Sequence, residues 1–487
     1  MRARWYRLAR PDRKVGGLAE AAVAVVAAAL YARTIGFGLV FDDHSLLGPD
    51  GPRFLGGEWI PYRPLRYASL WLDYWLGGGA PWAAHATNVV LHAGTSALVA
   101  GLGRRAGAPV WAAVACALVI AVHPLAVESV AYVSGRRDML ATMLGLAAIA
   151  AWASPQGRSA WSVVAVLLAV AAKESSILFV AVLALASACG IGPPLASIRR
   201  TLAFAALAAI ALPVAYGATG PLVPRGEVAT KLVVAGALSA HYGERLVAPT
   251  GLSVEYPELR CRSDECRRLA GPRSWAGLAL LGTVVASAGA LLVARRRPAT
   301  AISGWRAFTL SWLALWLLAV VFAIGTHEPG ADRHAYPLLA AAAVALAAFL
   351  APLPSGARTV AATLLVIWSV LAAGRADARI DVWRNDLTLW SSAVRDAASS
   401  ARAHHNLAAA LAERNRYAKA RRHLERALTL DPAYWPSELG LAAIDCEKGR
   451  LASGGAHLSR AHAAGARGDE LAAAMRRCQR RAAGDGS

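Results

Sequence analysis

The sequence predicts an all-α protein: a polytopic membrane helix bundle followed by a short α-solenoid. Three observations carry this. Hydrophobic residues make up 56% of the 487 residues and charged residues only 17%, against about 25% charged in a soluble globular chain. The apolar residues come in runs of bilayer-spanning length. After about residue 375 those runs stop, and a 34-residue period begins.

About eleven runs approach the roughly 20 residues that a helical span needs. They lie near 15–35, 86–103, 110–127, 139–153, 160–172, 176–190, 201–219, 275–294, 307–325, 335–352 and 357–374. Lys173-Glu174 separates two short ones. The first run follows an Arg-rich segment but lacks a small-x-small cleavage site, so it reads as an anchor rather than a signal peptide. The stretch 228–248 is apolar but carries Lys231, His241, Glu244 and Arg245, and it reads as an external interfacial or re-entrant helix.

Lys and Arg in short loops set orientation. With the N-terminus inside, Arg104-Arg105, Arg158, Arg199-Arg200, Arg295-Arg296-Arg297 and Arg358 all fall on the inner side. The formal net charge of +20 is then largely a topology signal, and no nucleic-acid partner is expected. The opposite loops hold nearly all the acids of the membrane region. They include Phe41-Asp42-Asp43-His44, Arg63, His123 with Glu128, Arg136-Arg137-Asp138, Lys173-Glu174 and Asp332-Arg333-His334. Any one of these can be a cap or an interhelical pair. Five loops converging on one leaflet suggest a polar site at the external surface, with cations for a phosphate and a carboxylate for base chemistry. Cys261 and Cys266 in the fourth external loop are a disulfide candidate suited to an oxidising compartment, and Cys446 with Cys478 is a second candidate pair.

From Ala401 a tetratricopeptide pattern runs through Leu407, Ala408, Leu411, Ala420, Leu424, Ala427 and Pro432. A second unit starts at Trp435, with Asp445 where an aromatic is usual and Ala466 in place of the proline. Residues 383–398 read as half a repeat and 469–482 as a capping helix. The expected organisation is a membrane domain over 1–374, a linker with half a repeat over 375–400, and repeats over 401–487. The repeats are either a partner-binding surface or a structural lid.

The order of these segments resembles the transmembrane and tetratricopeptide-repeat O-mannosyltransferases, members of the GT-C glycosyltransferases. The matching pieces include Phe41-Asp42-Asp43, Tyr62-Arg63-Pro64-Leu65, His85, Asn88 and Leu91-His92. They continue with His123-Pro124, Glu128-Ser129-Val130, Gly135-Arg136-Arg137-Asp138, Lys173-Glu174 and Asp332-Arg333-His334. Glu255 and His334 depart from the family pattern, and the repeat array is short.

The resemblance implies transfer of a hexose, mannose in the animal family, from a polyprenyl-phosphate sugar to a Ser or Thr hydroxyl, with inversion. Asp42 or Asp43 is implied as the catalytic base, with a slight preference for Asp42. Arg136, Arg137, Lys173, Arg333 and His334 are candidate ligands of the donor phosphate. Arg63, His123, Glu128, Asp138 and Glu174 are expected nearby. A divalent metal on the two aspartates is conceivable, but none is assigned. The expected location is a bacterial inner membrane, with site and repeats periplasmic and an acceptor protein held by the repeats. A non-catalytic scaffold for envelope proteins and a transferase acting on glycan or lipid acceptors are the alternatives.

Overall fold

The structure, a computed structural model, describes residues 13–48, 51, 63–154, 159–215, 228–259, 269–294, 301–322 and 330–482. It is helical throughout, and the sole pairing of extended backbone among the described residues is the isolated bridge Gly48–Gly51. It divides into two compact units: residues 1–252 with 258–383, and residues 253–257 with 384–487.

Over the described residues the apolar runs of the first unit are helical, except that the run at 110–127 is broken between Val122 and Ala126. The first is α1 (Arg13–Tyr31). The loop after it holds a single turn, α2 (Asp43–Leu46), and α3 (Pro64–Leu76). Then come α4 (Trp82–Arg105), α5 (Val110–Val122), the short α6 (Ala126–Ala131) and α7 (Arg136–Trp152). They are followed by α8 (Ser159–Ala172), α9 (Leu178–Ala188) and α10 (Leu195–Ala215). The last five are α11 (Val228–Val247), α12 (Pro272–Ala294), α13 (Ala301–Phe322), α14 (Tyr336–Leu350) and α15 (Ser355–Ile380). The break at Lys173-Glu174 is real: a 3-10 turn over Glu174–Ile177 separates α8 from α9. The ambiguous stretch forms α11, which packs on α12 and α13. Helix α15 continues unbroken past residue 374.

Among the described residues, four helical segments are long and apolar enough to cross a membrane by length and composition: Val15–Gly36, Pro272–Val293, Asp332–Leu350 and Ser355–Trp383. Small residues let the helices approach closely. Ala108, Ala112, Ala113 and Cys116 pack against Ala347, Ala351 and Ala362 in one buried cluster. A Cβ on Gly103 would lie 2.9 Å from that of Ala347. The outer face of α15 instead exposes Val360, Leu364, Ile367, Val370 and Leu371, as expected of a surface solvated by lipid.

The second unit contains α16 (Asp386–Asp396), the pairs α17 (Ala401–Ala412) with α18 (Tyr417–Leu430) and α19 (Trp435–Glu447) with α20 (Leu451–Ala463), and α21 (Gly468–Ala482). Asn385 and Thr388 form a reciprocal capping box on α16, and Ser400 caps α17 through Ala403 N–H. The repeat positions read from the sequence, Leu407, Ala408, Leu411, Ala420, Leu424 and Ala427, are all buried. Asp445 sits where an aromatic is usual because it is an ionic hub: Arg421, Arg450 and Ser453 all bond its carboxylate. Cys446 and Cys478 form a disulfide that ties α19 to α21. The other proposed pair, Cys261 and Cys266, lies outside the described residues.

Candidate active site

The site is built where loops meet at one end of α4, α6, α7 and α14. Phe41 takes a left-handed φ of 51°, a conformation costly for a side-chain-bearing residue. It turns the chain so that the two following acids diverge. Asp43 is completely buried. One of its oxygens accepts bonds from Ser134 N–H at 2.8 Å and Ser134 Oγ–H at 2.7 Å, and the other from Val133 N–H at 3.2 Å. Burial pushes its carboxyl up to about 6, against the lowering effect of those donors. Asp42 is solvent-exposed and starts the α2 turn. With Asp43 committed to protein N–H and O–H donors, the adjacent acids do not present a two-carboxylate metal site. Among the described residues no group of three His, Cys, Asp or Glu side chains has metal-ligand spacing.

The loop that receives Asp43 is held from behind by α4. Asn88 donates to the carbonyls of Val130 and Tyr132, and its own oxygen accepts from Arg136 Nε. Gly135 is required there, because a Cβ would lie 2.5 Å from the Ser129 carbonyl oxygen. Arg136 is fully buried, pairs with Asp73 at 2.5 Å and donates to the Ala84 carbonyl. Thr87 donates to the same Asp73 carboxylate. Arg333 is paired with Glu128, which also accepts the Arg333 backbone N–H. His123 accepts from Leu125 N–H on Nδ1, so its Nε2–H donates to the Leu246 carbonyl. Arg136, Arg333 and His123 thus have internal partners.

A second group is assembled differently. Asp138 is buried and faces Lys173, which bonds it directly, and Arg137 at 3.5 Å. His334 lies within electrostatic reach of Lys173, Arg333, Asp138 and Arg137. Arg63, with a left-handed φ of 72°, grips Glu174 through two bonds of 2.8 Å. Burial pushes Glu174 up, but Arg63 and Lys173 outweigh it and hold the carboxyl down at about 2. Arg66, one turn along α3, is 6% exposed and has no carboxylate partner among the described residues. Burial, with Arg137 and Arg63 beside it, pushes its guanidinium down to about 10, still charged at neutral pH. Arg63, Arg66, Arg137 and Lys173 are four cations around two carboxylates, Asp138 and Glu174. Among the described residues the cations thus outnumber the carboxylates, and the group is largely buried, where an anion is strongly attracted.

Tyr132 links the two groups. Its buried ring stacks on Phe41 and packs against Trp383. Burial together with Asp43 and Asp42 raises its hydroxyl well above the ordinary value, and Arg333 is within electrostatic reach on the other side. Arg66, Asp73, Tyr132 and Ser134 were not singled out from the sequence. Arg66 had a visible signal, being three residues from Arg63 on one face of a helix started by Pro64. Asp73 and Ser134 had none, since their partners are distant in sequence.

Fold and site together define a helical membrane protein with a buried polar site and a C-terminal repeat unit. Residues 401–434 match the tetratricopeptide repeat family. The chain is 35% identical over 132 residues to protein O-mannosyl-transferase Tmtc2 of Drosophila melanogaster, covering 23% of this chain and 14% of the relative. It is 35% identical over 99 residues to human protein O-mannosyl-transferase TMTC4, covering 18% and 13%. It is 28% identical over 181 residues to Drosophila protein O-mannosyl-transferase Tmtc1, covering 32% and 21%. The alignments span less than a quarter of each of these relatives. No solved structure matches the chain significantly. The chain is thus similar, over limited stretches, to proteins named protein O-mannosyl-transferases, and with its apolar helices it is an integral membrane protein.

Proposed function

We propose that the chain is a membrane glycosyltransferase that moves a hexose, mannose by analogy with the relatives' names, from a polyprenyl-phosphate carrier to a hydroxyl acceptor, a protein Ser or Thr. The observation that supports this reading is that buried Tyr132 lies within electrostatic reach of the exposed Asp42 and of Arg66, which has no carboxylate partner among the described residues. In this reading Asp42 accepts the proton of the acceptor hydroxyl as its oxygen attacks the anomeric carbon. The bond from that carbon to the phosphate oxygen breaks, with inversion, and the polyprenyl phosphate leaves with the electron pair. Arg66, Arg137 and Lys173 neutralise the leaving phosphate. They supply positive charge that a divalent ion would otherwise bring. Asp43 anchors the loop through Ser134 and keeps Asp42 in place.

The reading places the site and the repeats on the external side of a bacterial inner membrane. The distribution of Arg among the loops supports it, and so does the Cys446–Cys478 disulfide, which suits an oxidising compartment. The acceptor protein is then a partner of the repeats. The test is turnover by the full-length protein in liposomes, given labelled polyprenyl-phosphate mannose and candidate envelope proteins. Donor consumption with label on protein supports the proposal. Label on glycan or lipid alone would move the acceptor class, and an inert protein across several prenyl-phosphate sugars would favour a scaffold built on the repeats.

A further inference from the structure

The turn Asp332–Ala335, which leads into α14, is held by side chains from three helices. From α11, His241 Nε2–H donates to the Gly330 carbonyl at 3.1 Å and Tyr242 O–H to the Ala331 carbonyl at 3.0 Å. From α15, Arg379 donates to the Asp332 carboxylate at 2.6 Å. From α6, Glu128 accepts both the guanidinium and the backbone N–H of Arg333. Asp332 and Arg333 are thereby buried and engaged. His334 in the same turn is not. It is partly exposed, and its ring nitrogens have no hydrogen-bond partner among the described residues. By contrast, the rings of His92 and His123 are bonded through both nitrogens. A firmly anchored turn therefore presents an imidazole whose hydrogen-bonding capacity is unused.

Its neighbours locate it within the site. His334 lies within electrostatic reach of Lys173, Arg137 and Asp138. Arg333, next to it in the chain, is within reach of Tyr132, and Tyr132 is within reach of Asp42. The turn thus neighbours both the cations assigned to the leaving phosphate and the surroundings of the acid assigned to the acceptor proton. In the reaction the anomeric carbon joins these two groups, so the hexose lies against this turn.

We infer that His334 bonds the hydroxyl groups of the transferred hexose and sets which sugar the site accepts. The inference rests on the transferase reading. A phosphate only accepts hydrogen bonds, and Arg66, Arg137 and Lys173 already supply donors. A sugar hydroxyl both donates and accepts, and a neutral imidazole offers one donor and one acceptor nitrogen. A site built to bond a hydroxyl rejects a sugar that lacks it or points it elsewhere, because the protein's own polar atom is then left unpaired. The sequence groups His334 with Arg333 as phosphate ligands because the two are adjacent. In the fold Arg333 is committed to Glu128, and His334 is the member of the turn left for substrate.

The test titrates three short-chain ligands into the full-length protein in detergent micelles: polyprenyl-phosphate mannose, polyprenyl-phosphate glucose and bare polyprenyl phosphate. Wild type should bind one hexosyl donor more tightly than the other. His334→Phe keeps a ring but removes its hydrogen bonds. It should weaken the preferred donor by about threefold to tenfold, level the two hexoses and leave bare polyprenyl phosphate unchanged. His334→Gln retains a donor and an acceptor and should keep part of the preference. Lys173→Met should weaken all three ligands. Weaker binding of bare polyprenyl phosphate by His334→Phe would make the residue a phosphate ligand and overturn the inference. An unchanged hexose preference in folded His334→Phe would overturn it too, as would equal binding of both hexosyl donors by wild type. In each of those cases the transferase reading stands, whereas a wild type that binds none of the three ligands would overturn that reading itself.

Discussion

Ser134 bonds one oxygen of Asp43 twice, through its backbone N–H at 2.8 Å and its hydroxyl at 2.7 Å. Two loops 91 residues apart are joined at a buried point. The neighbouring Asp42 is left on the surface, so the two acids have separable tasks. Asp43→Asn replaces an acceptor with a group half donor, and strands at least one of the buried N–H or O–H groups. A loss of about 1–3 kcal/mol is expected, read as a lower melting temperature of the purified protein.

The same carboxyl makes stability depend on pH. Its folded pKa of about 6 lies above the ordinary 3.8, so the folded state holds its proton more tightly than the unfolded chain. This stabilisation is fully present below about 3.8, declines as pH rises through about 6, and is absent above. The shift corresponds to roughly 3 kcal/mol. The difference in melting temperature between wild type and Asp43→Asn should therefore shrink from pH 4 to pH 7; a constant difference would contradict this assignment.

Arg66 separates stability from binding. It is buried beside Arg137 and Arg63 without an acid of its own among the described residues. Arg66→Met removes an unbalanced charge, so melting temperature should hold or rise. Donor affinity should fall by about tenfold or more, corresponding to about 1.4 kcal/mol or more. Titration of the donor into both proteins checks the two effects together.

Glu128 and Arg333 should behave in the opposite way, since each is the partner of the other in a buried pair. Arg333→Met leaves Glu128 without its guanidinium and should cost about 3–5 kcal/mol. Glu128→Gln in the same chain should recover much of that. A double variant no more stable than Arg333→Met would deny the pairing its structural role.

The Cys446–Cys478 disulfide closes a loop across 32 positions in the repeat unit. Converting both residues to Ser should destabilise that unit by about 2–4 kcal/mol, seen as earlier proteolysis of 384–487. Intact mass before and after reduction under denaturing conditions reports the bond itself.

The architecture was legible because its causes are local. The apolar runs are helical over the described residues, apart from the break between Val122 and Ala126, and the charge pair at Lys173-Glu174 ends one; four described segments are long and apolar enough to span. The repeats were legible because Ala408, Ala420 and Ala427 recur where helices touch. The site was legible as a list but not as an arrangement. Asp42 and Asp43 are chemically identical in sequence, and only the contact with Ser134 distinguishes them. Arg136 and Arg137 are adjacent, yet a turn of helix sends Arg136 to Asp73 and leaves Arg137 beside Asp138. Arg66 was overlooked despite its spacing from Arg63, because only packing reveals that it is buried without a carboxylate partner among the described residues. The buried Asp445 likewise makes sense only with Arg421 and Arg450 around it.

The most direct test of the central claim compares wild type, Asp42→Asn and Asp43→Asn in the reconstituted transfer reaction, each first confirmed folded. The account predicts that Asp42→Asn keeps the wild-type melting temperature and donor binding but loses transfer, whereas Asp43→Asn loses stability. Transfer at the wild-type rate by a folded Asp42→Asn protein would contradict it.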